Sequence, residues 1–382
     1  MKPGAGHPFL IDFLHDLEGG NDVWLPSGGD WAAVAEEAHA QGLTPLLIRW
    51  LARSGNLSLL PAETADLLDG RLHAVAARNM MLADELGGML RALEGADIPC
   101  VPLRGLALAE DLFGDITSRP MGDIDVLVRR PDLGGVAEVL SGLGFRQMDR
   151  RPGFATRYYY TLKFFKDRHG WVIVEPHWTI AYPPFADRID MEAVWQRCES
   201  GEILGIACRR LTAGDLLLHL CLHMAHEGVG APLLHLFEIH RLIRQNDGDL
   251  DWYAAVSLAE ESGQGFLLRG ALEEVVGLFG SPVPEEVIGR LPDQPPVSFE
   301  GRLVRLLAGV EDIDGRESLA LLFTIKGPVA KLRYILELLF PSPEFMMVQY
   351  GLSRSGQLVF SYISRVLYFA REGLRGVVRL LF

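Results

Sequence analysis

Apolar residues recur every three or four positions in two long stretches near the start of the chain, from Asp30 to Leu59 and from Ala62 to Leu93. This spacing places them on one face of an α-helix, and both stretches are rich in Ala, Leu and Glu, which favour helices. We therefore expect helices through residues 1–94, up to a change of pattern near Ala96.

Short apolar runs then alternate with turn residues. The run Ile98–Leu103 predicts a strand, Arg104 and Gly105 a turn, and Leu106–Phe113 a helix. Further along, the pattern predicts a helix from Pro131 to Leu143 and a β-hairpin of two strands, Thr156–Phe165 and Trp171–Trp178, joined by the turn Asp167–Gly170. Because proline lacks a backbone N–H, Pro176 favours an edge strand or a strand end for the second of these.

Helical spacing returns after Leu211, where Thr212 is a suitable N-cap with Asp215 three residues later. The helices expected there are Leu216–Met224, Pro232–Arg244 and further helices from Trp252 onward. The pattern therefore predicts an α+β fold. Strands with flanking helices, residues 95–201, are embedded between a helical N-terminal region, residues 1–94, and a helical C-terminal region, residues 202–382.

The clearest candidate chemistry lies where Asp123-Ile-Asp125 leads into the apolar run Val126–Val128. Alternation in a strand puts Asp123 and Asp125 on one face, and two adjacent carboxylates repel each other unless a cation lies between them. A Mg²⁺ ion shared with phosphate oxygens is the natural cation for such a pair. In the second hairpin strand, Glu175 and His177 also share a face, where a neighbouring strand could bring the aspartates alongside.

The charge and composition of the chain restrict the kinds of partner that we expect it to bind. A formal net charge of −14 disfavours a long nucleic acid, whose binding depends on neutralised phosphates. The four cysteines show no paired spacing, and the N-terminus lacks the basic-then-apolar pattern of an export signal, so we expect a reduced, cytoplasmic protein. No uninterrupted apolar run reaches about 18 residues, so no transmembrane segment is expected.

Two motifs carry a family resemblance, Leu103-Arg-Gly-Leu-Ala-Leu-Ala and Arg119-Pro-Met-Gly-Asp-Ile-Asp-Val-Leu-Val. They resemble the DNA polymerase β-like nucleotidyltransferase superfamily and, within it, an uncharacterised bacterial nucleotidyltransferase family often found beside peptide natural-product genes. The resemblance is strong from Ile98 to Trp178 and continues more weakly through Leu216–His223 and Pro341–Glu344.

The resemblance implies a small mixed nucleotidyltransferase-type β-sheet with flanking helices. It also implies Mg²⁺-dependent transfer of a nucleotidyl group from a nucleoside triphosphate to a small-molecule or peptide acceptor. Asp123, Asp125 and Glu175 would hold two Mg²⁺ ions and form the catalytic centre. Gly105 would hold the triphosphate at a helix start, with Arg104 and Arg119 as further phosphate ligands, although either arginine could instead pair with carboxylates.

The chain departs from the superfamily pattern in three ways. The usual Gly-Ser turn is Arg104-Gly105-Leu106 here, Gly105 lies eighteen positions before Asp123, and the third acid is glutamate rather than aspartate. Three alternatives therefore stay open: phosphoryl transfer on the same fold, modification of a protein, and a non-catalytic nucleotide- or partner-binding role in a biosynthetic or defence cluster. The missing serine is the best support for the last of these.

Three further features have competing interpretations. The histidine-rich region contains an i, i+4 pair, His219 and His223, which could bind a transition metal, hydrogen-bond between helices or line an acceptor pocket; the glutamate of an HExxH motif is absent. The aromatic run Tyr158–Tyr160 favours core packing over base stacking. The basic, amphipathic stretch Gln357–Phe382 favours docking on the acidic body over peripheral contact with a membrane.

Overall fold

A mixed five-stranded sheet lies at the centre of the fold. The structure is a computed structural model and describes residues 8–19, 31–149, 151, 153–168, 170–183, 185–228, 231–295, 321–322, 324–350 and 356–381. The strands of the sheet are β1 (Cys100–Pro102), β2 (Ile124–Val128), β3 (Arg146–Gln147), β4 (Phe164–Asp167) and β5 (Trp171–His177). Their spatial order is β1-β2-β5-β4-β3, with β2 and β5 parallel and the other neighbours antiparallel. This confirms the expected small mixed sheet.

The N-terminal part of the chain is helical, as its apolar spacing predicts. Its helices are α1 (Pro8–Leu17), α2 (Trp31–Ala40), α3 (Thr44–Arg53), a 3₁₀ turn (Asn56–Leu59) and α4 (Ala62–Gly95). The last of these is 34 residues long, and its second half lies against the sheet region. The predicted helix Leu106–Phe113 is α5, with the bounds expected from the sequence.

Further helices flank the strands and fill the C-terminal part. Around the sheet they are α6 (Leu133–Gly142), α7 (Phe154–Tyr158) and α8 (Met191–Arg197), followed by the ribbon β6 (Glu199–Ile203) and β7 (Ile206–Arg210). The later helices are α9 (Ala213–Glu227), α10 (Leu233–Gln245), α11 (Trp252–Glu261), α12 (Gly265–Phe279), α13 (Glu285–Arg290), α14 (Pro328–Leu339), α15 (Pro343–Gln349) and α16 (Gln357–Leu381). The Thr212 side chain accepts a hydrogen bond from the Asp215 N–H, which confirms the predicted cap of α9.

Strand β2 is buried on both faces. All five residues of β2 are buried, and alternate residues enter different apolar clusters: Leu127 joins one, Val126 and Val128 the other. The first cluster includes residues of both the N-terminal and the C-terminal helices, while the second includes the end of α4 and α6. Burial on both faces explains the continuous apolar run Val126–Val128 within β2. The division of the chain into regions 1–94, 95–201 and 202–382 stays a prediction of the domain organisation.

The predicted hairpin needs a correction in its first strand. The strand was expected from Thr156, but α7 forms there and β4 begins only at Phe164. Helical spacing lets the rings of Phe154 and Tyr158 pack on Tyr334 of α14, with the Tyr158 and Tyr334 ring centroids 4.8 Å apart. Packing against the fully buried side chain of Tyr334 thus stabilises a helix at a place where alternation suggested a strand.

Pro176 lies within an interior strand, so its expected place on an edge strand is wrong, whereas a strand end is correct because β5 ends one residue later. At the C-terminus, α16 packs on α14: the Arg365 guanidinium donates to the Leu338 carbonyl over 2.7 Å. Of the helices that the structure describes, none is long and apolar enough to cross a membrane.

Candidate active site

The parallel pair β2 and β5 brings the predicted acids together. Asp125 is the register partner of Glu175, and Leu127 is the partner of His177. Register partners in adjacent strands point to the same face, so the Asp125 and Glu175 side chains emerge side by side. The His177 ring contacts the same group, with Nε2 3.1 Å from Oδ1 of the buried Asp125.

This group has the donors and the spacing of a metal site. Ligand atoms of Asp125, Glu175 and His177 all lie within 4.8 Å of one another. Carboxylate oxygens suit Mg²⁺, and the imidazole adds a donor that transition metals prefer. The residues therefore fit a divalent cation. His177 is a further candidate ligand, since strand alternation places it on the face of Glu175, although no sequence motif assigns it a role in the site.

Asp123 lies one residue before β2 and interacts electrostatically with Asp125 and Glu175. Burial and then the negative charges of Asp125 and Glu175 raise the pKa of its carboxyl, which reaches about 6 although the charges of Arg104 and Arg119 act to lower it. A raised pKa from neighbouring carboxylates is the expected signature of acids that share a site with no cation present. Asp123 is therefore electrostatically part of the cluster, although it is not among the three residues whose ligand atoms converge most closely.

Arg104 supplies positive charge to the cluster. Its guanidinium pairs with Asp125 Oδ2 over 2.5 Å and also donates to Nε2 of His223 on α9. Burial acts to raise the pKa of Asp125, but the charge of Arg104 and the hydrogen bond with His177 outweigh it and hold that pKa well below its usual range. Asp125 is thus ionised. Arg104, predicted as a phosphate ligand, lies against a predicted metal ligand.

Gly105 forms the sharp turn between β1 and α5. Its φ is +58°, and a Cβ there would meet Met121 Sδ at 3.2 Å and the Asp123 carbonyl oxygen at 3.8 Å. Only glycine accepts both the backbone angle and the close approach without cost. The turn therefore holds the start of α5 directly beside the segment that carries Asp123.

Long-range contacts hold the connection between α5 and β2 in place. The fully buried Asn79 amide of α4 donates to the carbonyls of Ile116 and Arg119 over 2.6 and 2.7 Å. Arg78 donates to the Gly122 carbonyl over 2.5 Å. These contacts anchor both ends of the segment preceding Asp123, which gives the long spacing between Gly105 and Asp123 a defined conformation.

Arg119 lies in the same segment between α5 and β2 and helps to anchor it. Its guanidinium forms a buried ion pair with Glu238 of α10, and the side chains are 8% and 2% exposed. Its charge still lowers the pKa of Asp123. The predicted phosphate contact of Arg119 stays a prediction, and its pairing with Glu238 favours the alternative that it binds a carboxylate of the protein.

The structure adds residues to the site that the motifs do not contain. Lys163 forms an ion pair with Glu175 over 3.1 Å. The Tyr182 hydroxyl lies 3.1 Å from Nδ1 of His223. His223 belonged to the histidine-rich helix noted in the sequence. Lys163 lay within the predicted first hairpin strand and Tyr182 after the second, but no motif singled out either residue.

A family model described as an uncharacterised nucleotidyltransferase matches residues 27–279. The match covers more than half of the 382 residues, and it includes every strand of the sheet. The chain therefore belongs to this uncharacterised nucleotidyltransferase family. Among curated proteins, none matches the sequence.

Solved structures of nucleotidyltransferases are also similar. The antibiotic-resistance factor ANT(2'')-Ia is matched by its solution structure, with 16% identity, a TM-score of 0.33, and coverage of 53% of this chain and 95% of that chain. A crystal structure of ANT(2'')-Ia with adenylyl-2''-tobramycin is 17% identical, with a TM-score of 0.33 and coverage of 50% of this chain and 97% of that chain. An antigenic nucleotidyltransferase-like protein from Paracoccidioides brasiliensis is 14% identical, with a TM-score of 0.35 and coverage of 53% of this chain and 94% of that chain. Similarity to these solved structures at such low identity and TM-score does not indicate the activity of this chain.

Proposed function

We propose that the protein transfers a nucleotidyl group from a nucleoside triphosphate to a hydroxyl or phosphate of a small-molecule or peptide acceptor, with Mg²⁺ bound by Asp123, Asp125 and Glu175. The observation that carries this proposal is the register pairing of Asp125 with Glu175 on parallel strands, next to Asp123. Membership of a nucleotidyltransferase family supports the reaction class.

In this reaction an acceptor oxygen attacks the α-phosphorus, a new P–O bond forms, and the bond to the pyrophosphate leaving group breaks. Bound divalent ions would neutralise charge on the attacking and leaving oxygens. The protein's part is to position them: Asp125 is already ionised beside Arg104, and Glu175 faces it from the next strand, where it would orient the acceptor. The acceptor loses its proton as the new bond forms.

The triphosphate would lie at the turn Arg104-Gly105, where backbone N–H groups at the start of α5 favour an anion. The missing serine hydroxyl leaves this contact to the backbone and to Arg104. Asp125, which pairs with Arg104 in this structure, would hold Mg²⁺ instead when the ion is bound, and the Arg104 guanidinium would then hold phosphate oxygens. Exchange of Arg104 from a carboxylate to a phosphate would thus accompany substrate binding.

Binding is tested by thermal unfolding with ATP, GTP, CTP or UTP, each with and without Mg²⁺. A ligand that binds only the folded state raises the melting temperature. We expect a Mg²⁺-dependent rise for at least one nucleotide, its loss in Asp123→Asn, and its retention in Asp187→Asn, a matched change of an exposed aspartate in the same region. A rise that survives in Asp123→Asn would place the nucleotide elsewhere and refute the site.

Reaction type is tested by intact-mass analysis of candidate acceptors after incubation with mixed nucleoside triphosphates and Mg²⁺. A gain equal to one nucleotidyl group supports the proposal, and a gain of one phosphate identifies phosphoryl transfer instead. Nucleotide binding without modification of any acceptor or of the protein itself would favour the non-catalytic alternative.

A further inference from the structure

A second group of potential metal ligands lies where α9 ends and α10 begins. Within the part of the chain that the structure describes, His223, Glu227 and His235 offer ligand atoms that all lie within 4.8 Å of one another. We propose that these three residues form a binding site for a divalent transition-metal ion such as Zn²⁺, separate from the carboxylates of the candidate active site. The inference does not depend on the proposed nucleotidyl transfer.

The helices bring the three side chains together by simple spacing. His223 and Glu227 are four residues apart in the last turns of α9, so they lie on one face. His235 is near the first turn of α10 and approaches from the opposite side, with its ring centroid 5.3 Å from that of His223. Each partner thus comes from a regular, well-packed element rather than from a loop.

Hydrogen bonding fixes the state of the His223 ring. The Arg104 guanidinium has only N–H donors, so the Nε2 atom that it contacts must present a lone pair. The proton is then on Nδ1, which donates to the Tyr182 hydroxyl oxygen over 3.1 Å. A ligand histidine commonly donates its other N–H in this way, which orients the ring and leaves the ligating nitrogen free.

Two acceptors therefore face each other. Nε2 of His223 lies 3.1 Å from Oε1 of Glu227, and neither a lone pair nor a carboxylate can donate to the other. Such an approach is repulsive unless a positive charge lies beside both atoms. Arg104 supplies this charge in part, and a metal ion bound to both atoms would supply it fully.

The other carboxylate oxygen meets the third ligand. Oε2 of Glu227 and Nδ1 of His235 form an ion pair over 2.8 Å, and neither atom has a hydrogen-bond partner elsewhere in the part of the chain that the structure describes. The two oxygens of Glu227 thus face one imidazole each, and a metal ion would displace no other partner from Oε2 or from Nδ1 of His235. Ligands at about 2.0 to 2.2 Å from one tetrahedral Zn²⁺ lie about 3.4 Å apart, close to the spacings seen here.

The donor set selects the class of metal. Two imidazoles and one carboxylate form a known Zn²⁺ ligand set with a fourth position left for water, whereas Mg²⁺ prefers oxygen donors. The Glu227 side chain is 30% exposed, which gives the ion a path from solvent. The carboxylate-rich group around Asp125 and this histidine-rich group therefore favour different ions.

Arg104 makes the proposal more specific. Its guanidinium and the metal would compete for the same Nε2 of His223, so metal binding must move Arg104 away from His223. Replacement of Arg104 by methionine, which keeps a long side chain without charge, should therefore strengthen metal binding by tenfold or more. An ordinary structural histidine cluster would not gain metal affinity from this change.

The test is a titration of the metal-free protein with Co²⁺, followed by the visible absorption of the bound ion and reversed with Zn²⁺. We expect one tight equivalent per chain with tetrahedral Co²⁺ absorption, lost in His235→Gln and in Glu227→Gln and strengthened in Arg104→Met. His73→Gln is the matched control, because His73 and Asp69 form an exposed i, i+4 pair on α4. That variant should bind like the unmodified protein.

Circular dichroism and thermal unfolding establish that each variant is folded before titration. Binding that persists in both His235→Gln and Glu227→Gln would overturn the proposal, as would absence of a tight equivalent in the unmodified protein. Loss of the tetrahedral signal in Asp123→Asn, with retention in His235→Gln, would assign the ion to the active-site carboxylates and also overturn it. None of these outcomes depends on detecting nucleotidyl transfer, so the two proposals fail independently.

Discussion

Replacement of Asp123 by asparagine should make the metal-free protein more stable while it removes the Mg²⁺ response. Burial and the neighbouring carboxylates raise the pKa of Asp123 from its ordinary 3.8 to about 6. Each pKa unit corresponds to about 1.4 kcal/mol, so ionised Asp123 costs the folded state about 3 kcal/mol. Asparagine keeps the shape of the side chain and carries no charge, so it avoids this cost.

The effect depends on pH in a defined direction. Between pH 3.8 and about 6 the folded protein holds a proton on Asp123 that the unfolded chain has released, so this group lowers stability as the pH rises through that window. Urea unfolding in EDTA should therefore show Asp123→Asn to be more stable than the unmodified protein at pH 8, by about 1 to 3 kcal/mol. The difference should disappear below about pH 4.

Two comparisons make the result interpretable. Asp187→Asn changes an exposed aspartate and should leave stability unaltered at both pH values. Asp125→Asn should act in the opposite direction and destabilise the protein by about 3 to 5 kcal/mol, because it leaves Arg104, whose side chain is only 13% exposed, without its carboxylate partner. Equal or lower stability of Asp123→Asn at pH 8 would refute the electrostatic reasoning, as would a gain that is the same at pH 4.

Three further outcomes are expected. Gly105→Ala should lower the free energy of unfolding by about 1 to 3 kcal/mol, measured in urea, because its φ is +58° and the new Cβ would meet Met121 Sδ at 3.2 Å. Arg119→Ala should cost about 3 to 5 kcal/mol and Arg119→Met with Glu238→Leu clearly less, because only the single change leaves a buried charge unpaired; equal losses would contradict this account. Burial lowers the pKa of His219 to about 3, so stability should fall as the pH drops below about 6.5, and His219→Gln should reduce that slope by up to about 1.4 kcal/mol per pH unit.

Much of the site was accessible from local sequence patterns. Alternation placed Asp123 and Asp125 at the start of a buried strand and Glu175 with His177 on one face of another, because side-chain direction in a strand repeats every two residues. The turn at Gly105 and the bounds of α5 followed from equally local signals. That Glu175 would join the two aspartates was implied by the family resemblance and not by spacing, and the register of the two strands is given only by the structure.

The remaining features depend on contacts between distant segments. The partners of Arg104 and Arg119 are His223, Asp125 and Glu238, and no periodicity indicates which carboxylate or imidazole an arginine will meet. The prediction that the first hairpin strand begins at Thr156 was wrong for a similar reason, because Tyr334, which lies far along the chain, stabilises α7 there instead. Tertiary packing overrode local preference there.

The buried ion pair between Arg119 and Glu238 has a consequence for any attempt to reduce this protein to a minimal catalytic unit. Glu238 belongs to α10, which begins more than fifty residues after β5, the last strand of the central sheet, ends, yet it anchors the segment that precedes Asp123. A truncated chain ending after β7 would keep all three acids but lose the anchor of one of them. We expect such a fragment to be a poor scaffold, because the geometry of its acids is set from outside it.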